Sequence, residues 1–277
     1  MRPRIAVALA FVALASSCVT GSRWIPARGP ESETPLEPLD QGSLSLVTYN
    51  VHGLPRFVAK RDGRQTHPKM VAPLGEFDLV LVQESFWYHH LLDVPLPWHA
   101  RPRRGCLLQL GDGLARWSRH PLSNVQHVAW RSAHGITDHY NDRLAAKGFA
   151  AGTVALPVGR ELWVYNVHFD AGGDPGDRKA REDQRAQLVE HIEKKVPAGA
   201  ALLVAGDFNA GPGSLAEMCE RLGLRDAGVG GIDRILLRSA AKLELSAAPI
   251  EGDARLAELS GLSDHAPVAV ELTFIAR

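Results

Sequence analysis

LLVAGDFNAGPG, residues 202–213, runs four apolar residues into Gly206, Asp207, Phe208 and Asn209, and then into small or rigid residues that block regular continuation. Such a stretch reads as a buried strand that ends on a carboxylate and an amide. Gly and Pro just beyond a strand put its last side chains at the rim of a sheet, where α/β folds bind their ligands. Taken alone, the segment is equally well an Asx turn that closes a strand, because Asp, Asn and Gly are ordinary turn residues. What decides between the two readings is whether other strands deliver polar ends to the same rim.

Several runs elsewhere end in the same way. LSLVTYN (44–50) stops on Asn50 and DLVLVQE (78–84) on Glu84. ELWVYNVHF (161–169) carries His168 and leads to Asp170, and Ser263, Asp264 and His265 stand just before PVAVELTF (267–274). Other β-rich runs are CLLQL (106–110), GLARW (113–117), NVQHVAW (124–130), GFAAGTVALP (148–157) and IDRILL (232–237). Met70, Val71, Leu74 and Phe77 have helical spacing, which predicts a helix over 67–77; Ala186, Val189 and Ile192 predict a second over 178–195. Many strands, few helices and apolar runs on several strands predict an α/β chain with two stacked sheets and helices outside. The sequence shows neither an internal repeat nor a second domain boundary.

Each strand-end residue alone has a plain structural use: Asn50 as a turn former, Glu84 as a capping carboxylate, His168 as a hydrogen-bonded core histidine, Asp264 as an N-cap. Together they offer hard oxygen and imidazole groups. Carboxylate and amide oxygens suit Mg²⁺ or Mn²⁺, which keep several waters and need only one or two protein carboxylates. Zinc fits less well, since no His and Cys cluster has zinc spacing.

The chain opens MRPRIAVALAFVALASSC: two arginines, eleven apolar residues from Ile5 to Ala15, then small residues up to Cys18. Spanning a bilayer takes about twenty apolar residues, so this reads as an export signal and not an anchor helix. Ala15, Ser16, Ser17 and Cys18 resemble a bacterial lipobox, which would put a lipid on Cys18 and tether the chain to a membrane surface. Without that tether the export signal implies a periplasmic or secreted protein. Residues 19–43 are rich in Pro, Glu, Ser and Gly without apolar period and read as a flexible linker, leaving 44–277 as one catalytic domain.

The 277 residues are 45% hydrophobic, enough for a substantial core. Without residues 1–18 the chain carries 29 basic and 31 acidic residues, a net charge of −2. That balance argues against tight nonspecific nucleic-acid binding, which needs many Lys and Arg contacts to phosphates, although Arg101, Arg103 and Arg104 form a local basic group. Cys106 and Cys219 could be joined in an exported protein or remain buried thiols.

In this order, YNVHGLP, DLVLVQE, NVHFDAGG, GDFNAGPG, GIDRILL and SDHAPVAVEL resemble the endonuclease/exonuclease/phosphatase superfamily over residues 44–274. The superfamily includes deoxyribonuclease-like nucleases, inositol-phosphate 5-phosphatases and neutral sphingomyelinases. The resemblance implies a four-layer α/β sandwich, with two packed, mainly antiparallel sheets, outer helices and a metal site at one rim. By position it implies Mg²⁺ on Glu84 with Asn50 and Asp264. His265 would activate water or contact the scissile phosphate, oriented by Asp233. Asp207 and Asn209 would position nucleophile and phosphate, and His168 would bind phosphate. Metal and donors would neutralise an anionic diester, and an acid-held imidazole is a proton carrier near neutral pH. Whether Asp207 or His265 takes the proton stays open at this point.

NDRLAAKGF (141–149) resembles a feature of the neutral sphingomyelinase branch, in which Asp142 and Lys147 would contact substrate. NVHFDAGG followed by Arg181 and Gln184 is similar to the same branch. Arg234 departs from the pattern, standing where an aromatic is common. Trp87 and Tyr88 follow Glu84, placed to contact lipid or stack on a base. The expectation is a Mg²⁺-dependent phosphodiester hydrolase acting on a phospholipid head group, sphingomyelinase-like. The alternatives are a secreted or tethered nuclease and, from another class, a catalytically inactive binding lipoprotein. No obligate protein partner is implied.

Overall fold

The computed structural model of the protein describes residues 21–30, 38–56, 61–105, 109–135 and 145–277. In chain order the elements are β1 (Ser22–Ile25), β2 (Gln41–Asn50), α1 (Gly63–Gly75), β3 (Leu79–Gln83), β4 (Trp98–Ala100), β5 (Ala115–Ser118), β6 (Val125–Ala129), β7 (Gly148–Leu156), β8 (Arg160–His168), α2 (Pro175–Lys195), β9 (Leu202–Asp207), α3 (Ala216–Leu222), β10 (Arg225–Asp226), β11 (Asp233–Arg238), β12 (Leu243–Pro249), α4 (Ala254–Leu259) and β13 (Val268–Ala276). Seven strands form one sheet in the order β1-β6-β7-β8-β9-β11-β10, and six form the other in the order β12-β13-β2-β3-β5-β4. Each sheet has a single parallel pair, β8 with β9 and β2 with β3, among antiparallel neighbours.

Strands buried on both faces explain the continuous apolar runs of the sequence. One face of β2, β3, β8, β9 and β11 (Leu44, Leu46, Leu79, Leu81, Leu162, Val164, Leu203, Ala205, Ile235, Leu237) fills the slab between the sheets. Outward from the seven-stranded sheet, Tyr165, Val167, Leu202 and Val204 pack with Leu188, Val189 and Ile192 of α2 and with Met218 of α3. Outward from the six-stranded sheet, Val47, Tyr49, Val80 and Val82 pack with Met70 and Leu74 of α1 and with Leu259 of α4. The result is the expected four-layer α/β sandwich.

Departures from expectation are local. Ser22–Ile25, assigned by the sequence to the flexible linker, is instead an edge strand paired with Val125–Val128, and Arg28 bridges to His99. Backbone pairing outweighs the Gly- and Pro-rich composition there, and β2 starts at Gln41 rather than at residue 44. Helix α1 begins four residues before His67, at Gly63, because Asp62 caps it by accepting from Arg64 N–H. In CLLQL, residues 106–108, with Cys106, lie outside the described residues, and Leu110 makes only an isolated bridge to Ala145. Cys219 is a free thiol. The export signal and Cys18 also lie outside the described residues. Among those described, no helix is long and apolar enough to cross a membrane.

Candidate active site

Side chains alternate along a strand, so residues 44, 46, 48 and 50 of β2 share one face, as do 203, 205 and 207 of β9. The apolar filling between the sheets therefore gives way to polar groups as the strands approach one rim. Thr48, Gln83 and Asn166 form a buried polar layer, in which Gln83 Nε2 donates to Thr48 Oγ1 at 3.0 Å and to Asn166 Oδ1 at 2.7 Å. Beyond it lie Asn50, Glu84, His168, Asp207 and Asp233. The register follows from the two parallel pairs, which set Asn50 beside Gln83 and His168 beside Asp207, while antiparallel β11 sets Asp233 beside Asp207.

Among the described residues, the non-glycine residues with positive φ are His52 (49°), Glu84 (55°) and Asn209 (45°), and all three stand at this rim. Such backbone costs about 1–3 kcal/mol per residue and persists where the surroundings over-determine it. Glu84 O accepts from Gly53 N–H at 2.9 Å, and a Cβ on Gly53 would lie 2.4 Å from that oxygen, so only glycine lets the two segments close on each other. Ser263 Oγ donates to Asn50 O at 2.7 Å and holds the loop of Asp264 and His265 against the end of β2.

Asn50 Nδ2 lies 3.1 Å from both Glu84 Oε1 and Asp207 Oδ2, bridging one carboxylate from each sheet. Asn50 Oδ1 accepts from His52 N–H at 3.1 Å, and ligation through oxygen would require the amide to turn over and surrender that bond. Glu84 Oε2 is buried without a hydrogen-bond partner, as expected of an oxygen kept for a cation, and Asp264 is half-exposed beside it. Between them stands His52, whose Nδ1 is 3.6 Å from Glu84 Oε2 and 3.2 Å from Asp264 Oδ2. Its place was not foreseen; the only sequence signal is its position two residues beyond Asn50.

His168 is fully buried, with Nε2 3.6 Å from Glu84 Oε1 and from Asp207 Oδ2 and neither ring nitrogen hydrogen-bonded. Burial, reinforced by Lys147 and His265, holds it well below the usual imidazole range, so the ring is neutral. Burial raises Asp207 to about 6, with Asp233 adding and His265 and Lys147 opposing. His265 Nδ1 is 2.7 Å from Asp233 Oδ2. Burial works against charge on this ring, but the Asp233 hydrogen bond and the fields of Asp233, Asp207 and Asp264 outweigh it and raise His265 to about 9. Its Nε2 lies 3.8 Å from Asp207 Oδ2.

Asn209 Nδ2 donates to Phe169 O at 3.0 Å, and its N–H donates to Asp207 Oδ1 at 2.9 Å. Lys147 is buried nearby, with Nζ 3.4 Å from Phe169 O, whereas Asp142 lies outside the described residues. Arg181 donates to the carbonyls of Asp170 and Gly172, and Gln184 accepts from Asp170 N–H, so both shape the loop after β8. Arg234, the departure from the expected pattern, is ion-paired with Asp226. Of the two aromatics after Glu84, Trp87 is exposed and Tyr88 is buried against His67. One rim thus gathers Asn50, Glu84, His168, Asp207, Asn209, Asp233, Asp264 and His265, and Asp207, Asp233 and His265 are themselves close enough to hold a metal ion.

The chain belongs to the Endonuclease/Exonuclease/phosphatase family, whose model matches residues 47–265. Within that class it is similar to the sphingomyelinases of Mycobacterium bovis and Mycobacterium tuberculosis, at 28% identity over 280 positions that cover 85% of this chain and 54% of theirs. The chain therefore spans about half the length of those curated relatives. Its fold is similar to a Staphylococcus aureus beta toxin mutant with bound magnesium ions (TM-score 0.62, 16% identity, 85% of this chain and 100% of that one). It is also similar to sphingomyelinase C from Streptomyces griseocarneus (TM-score 0.64, 18% identity, 83% of this chain and 99% of that one).

Proposed function

We propose that the domain hydrolyses phosphodiesters with Mg²⁺, and that its substrate is a phospholipid of the sphingomyelin type, cleaved on the head-group side as by a phospholipase C. The observation that carries the chemistry is the meeting, across two sheets, of a Glu84 oxygen, which makes no hydrogen bond, with the Asp207, His265 and Asp233 chain. The relation to mycobacterial sphingomyelinases supports the substrate class.

Glu84 and Asp264 would hold the cation, whose charge would neutralise a phosphoryl oxygen and lower the pKa of a bound water. The chain's own groups handle the protons. Asp233 fixes the His265 ring through Nδ1, which leaves Nε2 as the atom that exchanges a proton with the reacting group. With its raised pKa, His265 is charged at neutral pH and donates from Nε2 to a phosphoryl or leaving-group oxygen. Asp207, ionised above about 6 and held by Asn50 and Asn209, orients the attacking water and accepts from it. Neutral His168 donates toward the phosphate from the floor of the site. Asn209, with Lys147 behind it, fixes the loop that faces the substrate.

Turnover of bis(p-nitrophenyl) phosphate by the purified protein with Mg²⁺, and its loss with EDTA, tests the chemistry. Sphingomyelin vesicles, DNA and inositol phosphates assayed side by side test the substrate, and cleavage of DNA alone would replace the lipid assignment with the nuclease one.

A further inference from the structure

A groove of about 880 Å³ opens beside the rim, starting at Ser85, Phe86 and Trp87 directly after Glu84 and running out to Arg101, Arg103 and Arg104. Against its three arginines it has one carboxylate, Asp93, and it is also lined by His89, His90 and His99. Arg101 and Arg104 are exposed, and no carboxylate among the described residues forms an ion pair with either.

The basic segment is fixed in place. Arg103 is buried, and its guanidinium donates to Gly21 O at 3.0 Å. Its backbone N–H donates to Asp112 Oδ1 at 3.0 Å, and the other oxygen of Asp112 lies 2.5 Å from Nδ1 of buried His127 on β6. Burial, with Arg101 next, lowers His89 to about 4, and the same two causes lower His99. The charge is local, since the chain beyond residue 18 is slightly acidic overall.

We propose that this groove binds the phosphate of an anionic phospholipid beside the substrate, so that the domain docks on an acidic bilayer surface with its catalytic rim facing the lipid. Exposed Trp87 at the mouth is the kind of amphipathic side chain that settles at a bilayer interface. A nucleic-acid strand fits less well. Trp87 is the one exposed large aromatic among the groove residues, short of a stacking platform for successive bases. The position beside the rim draws on the phosphodiesterase reading, but the binding itself does not.

Binding is measured by cosedimentation of the mature chain with substrate-free vesicles, of phosphatidylcholine alone or with about one quarter phosphatidylglycerol. The expected result is preferential binding to the anionic vesicles, lost as salt rises from about 0.05 to about 0.5 M. Arg101→Gln and Arg104→Gln each weaken it about fivefold, and the double variant about thirtyfold. Equal binding of both vesicle types, or an unchanged double variant, overturns the proposal. So does a double variant that loses affinity for inorganic phosphate or single-stranded DNA while keeping its affinity for vesicles. Because these vesicles contain nothing to hydrolyse, failure here is separate from failure to turn over a soluble diester.

Discussion

The side chains of Gln83 and Asn166 meet across the gap between the two sheets, with Gln83 Nε2 donating to Asn166 Oδ1 at 2.7 Å. Asn166 Nδ2 also donates to Val82 O and Ala115 O, so one buried amide ties β8 to both β3 and β5. Gln83 directly precedes Glu84, and Asn166 stands two residues before His168. The clamp therefore sets the spacing of the Glu84 carboxylate and the neutral His168 imidazole.

Asn166→Ala removes the partner of Gln83 across the sheets, leaving it Thr48 alone, and takes the amide donors from two buried carbonyls, which is expected to cost about 3 kcal/mol in urea unfolding. A loss below about 1 kcal/mol would show that water enters the layer or that the network carries little weight.

Asp233→Asn keeps the volume but removes the charge that orients the His265 ring and keeps it protonated. Steady-state kinetics on a soluble diester should show kcat reduced by about 10²–10⁴, with KM changed only a few-fold. Wild-type kcat in this variant would remove Asp233 from the mechanism.

Glu84→Gln retains hydrogen bonding to Asn50 but withdraws the charge and the buried oxygen that makes no hydrogen bond. Titration calorimetry should show Mg²⁺ affinity weakened by more than about tenfold. Equal affinity in the two proteins would place the ion elsewhere, the Asp207, Asp233 and His265 group being the candidate.

Gly206→Ala tests the glycine of GDFN. Gly206 has φ of 140°, and a Cβ there would lie 2.1 Å from Val167 O on the paired strand. Strain and displacement of β8 together should cost more than about 3 kcal/mol or abolish folding, read as loss of soluble protein or of the unfolding transition.

The pH dependence of stability has a defined sign. Burial depresses His67, which is fully inaccessible, from 6.5 to about 4, so the folded state keeps it neutral where the unfolded chain protonates it. Its contribution is complete above pH 6.5 and is lost as pH falls towards 4. His67→Met should therefore lose about 2–3 kcal/mol less than wild type between pH 7 and pH 4.5 in denaturant unfolding. Parallel curves for the two proteins would count against the depressed value.

The strands that build the site were legible because burial on both faces makes them continuous apolar runs, as in LLVA before Asp207 and LVLV before Gln83. β12 was missed because LELSAAP is half exposed and carries Ser, Ala and Pro, and β1 because its pairing comes from a distant strand. At the site, the residue types at strand ends were readable, but orientation was not. No pattern reveals that Asn50 aims its nitrogen at the carboxylates. His52 enters the site only because a left-handed turn bends the chain back between Glu84 and Asp264.

The parallel pairing of β8 with β9 is made across helix α2, and the chain between Lys195 and Leu202 falls between the two halves of the rim. A cut there would put Asn50, Glu84 and His168 on one fragment and Asp207, Asp233 and His265 on the other. Neither piece could act alone, so recovered diesterase activity on mixing them would serve as a complementation signal for two polypeptides meeting edge to edge.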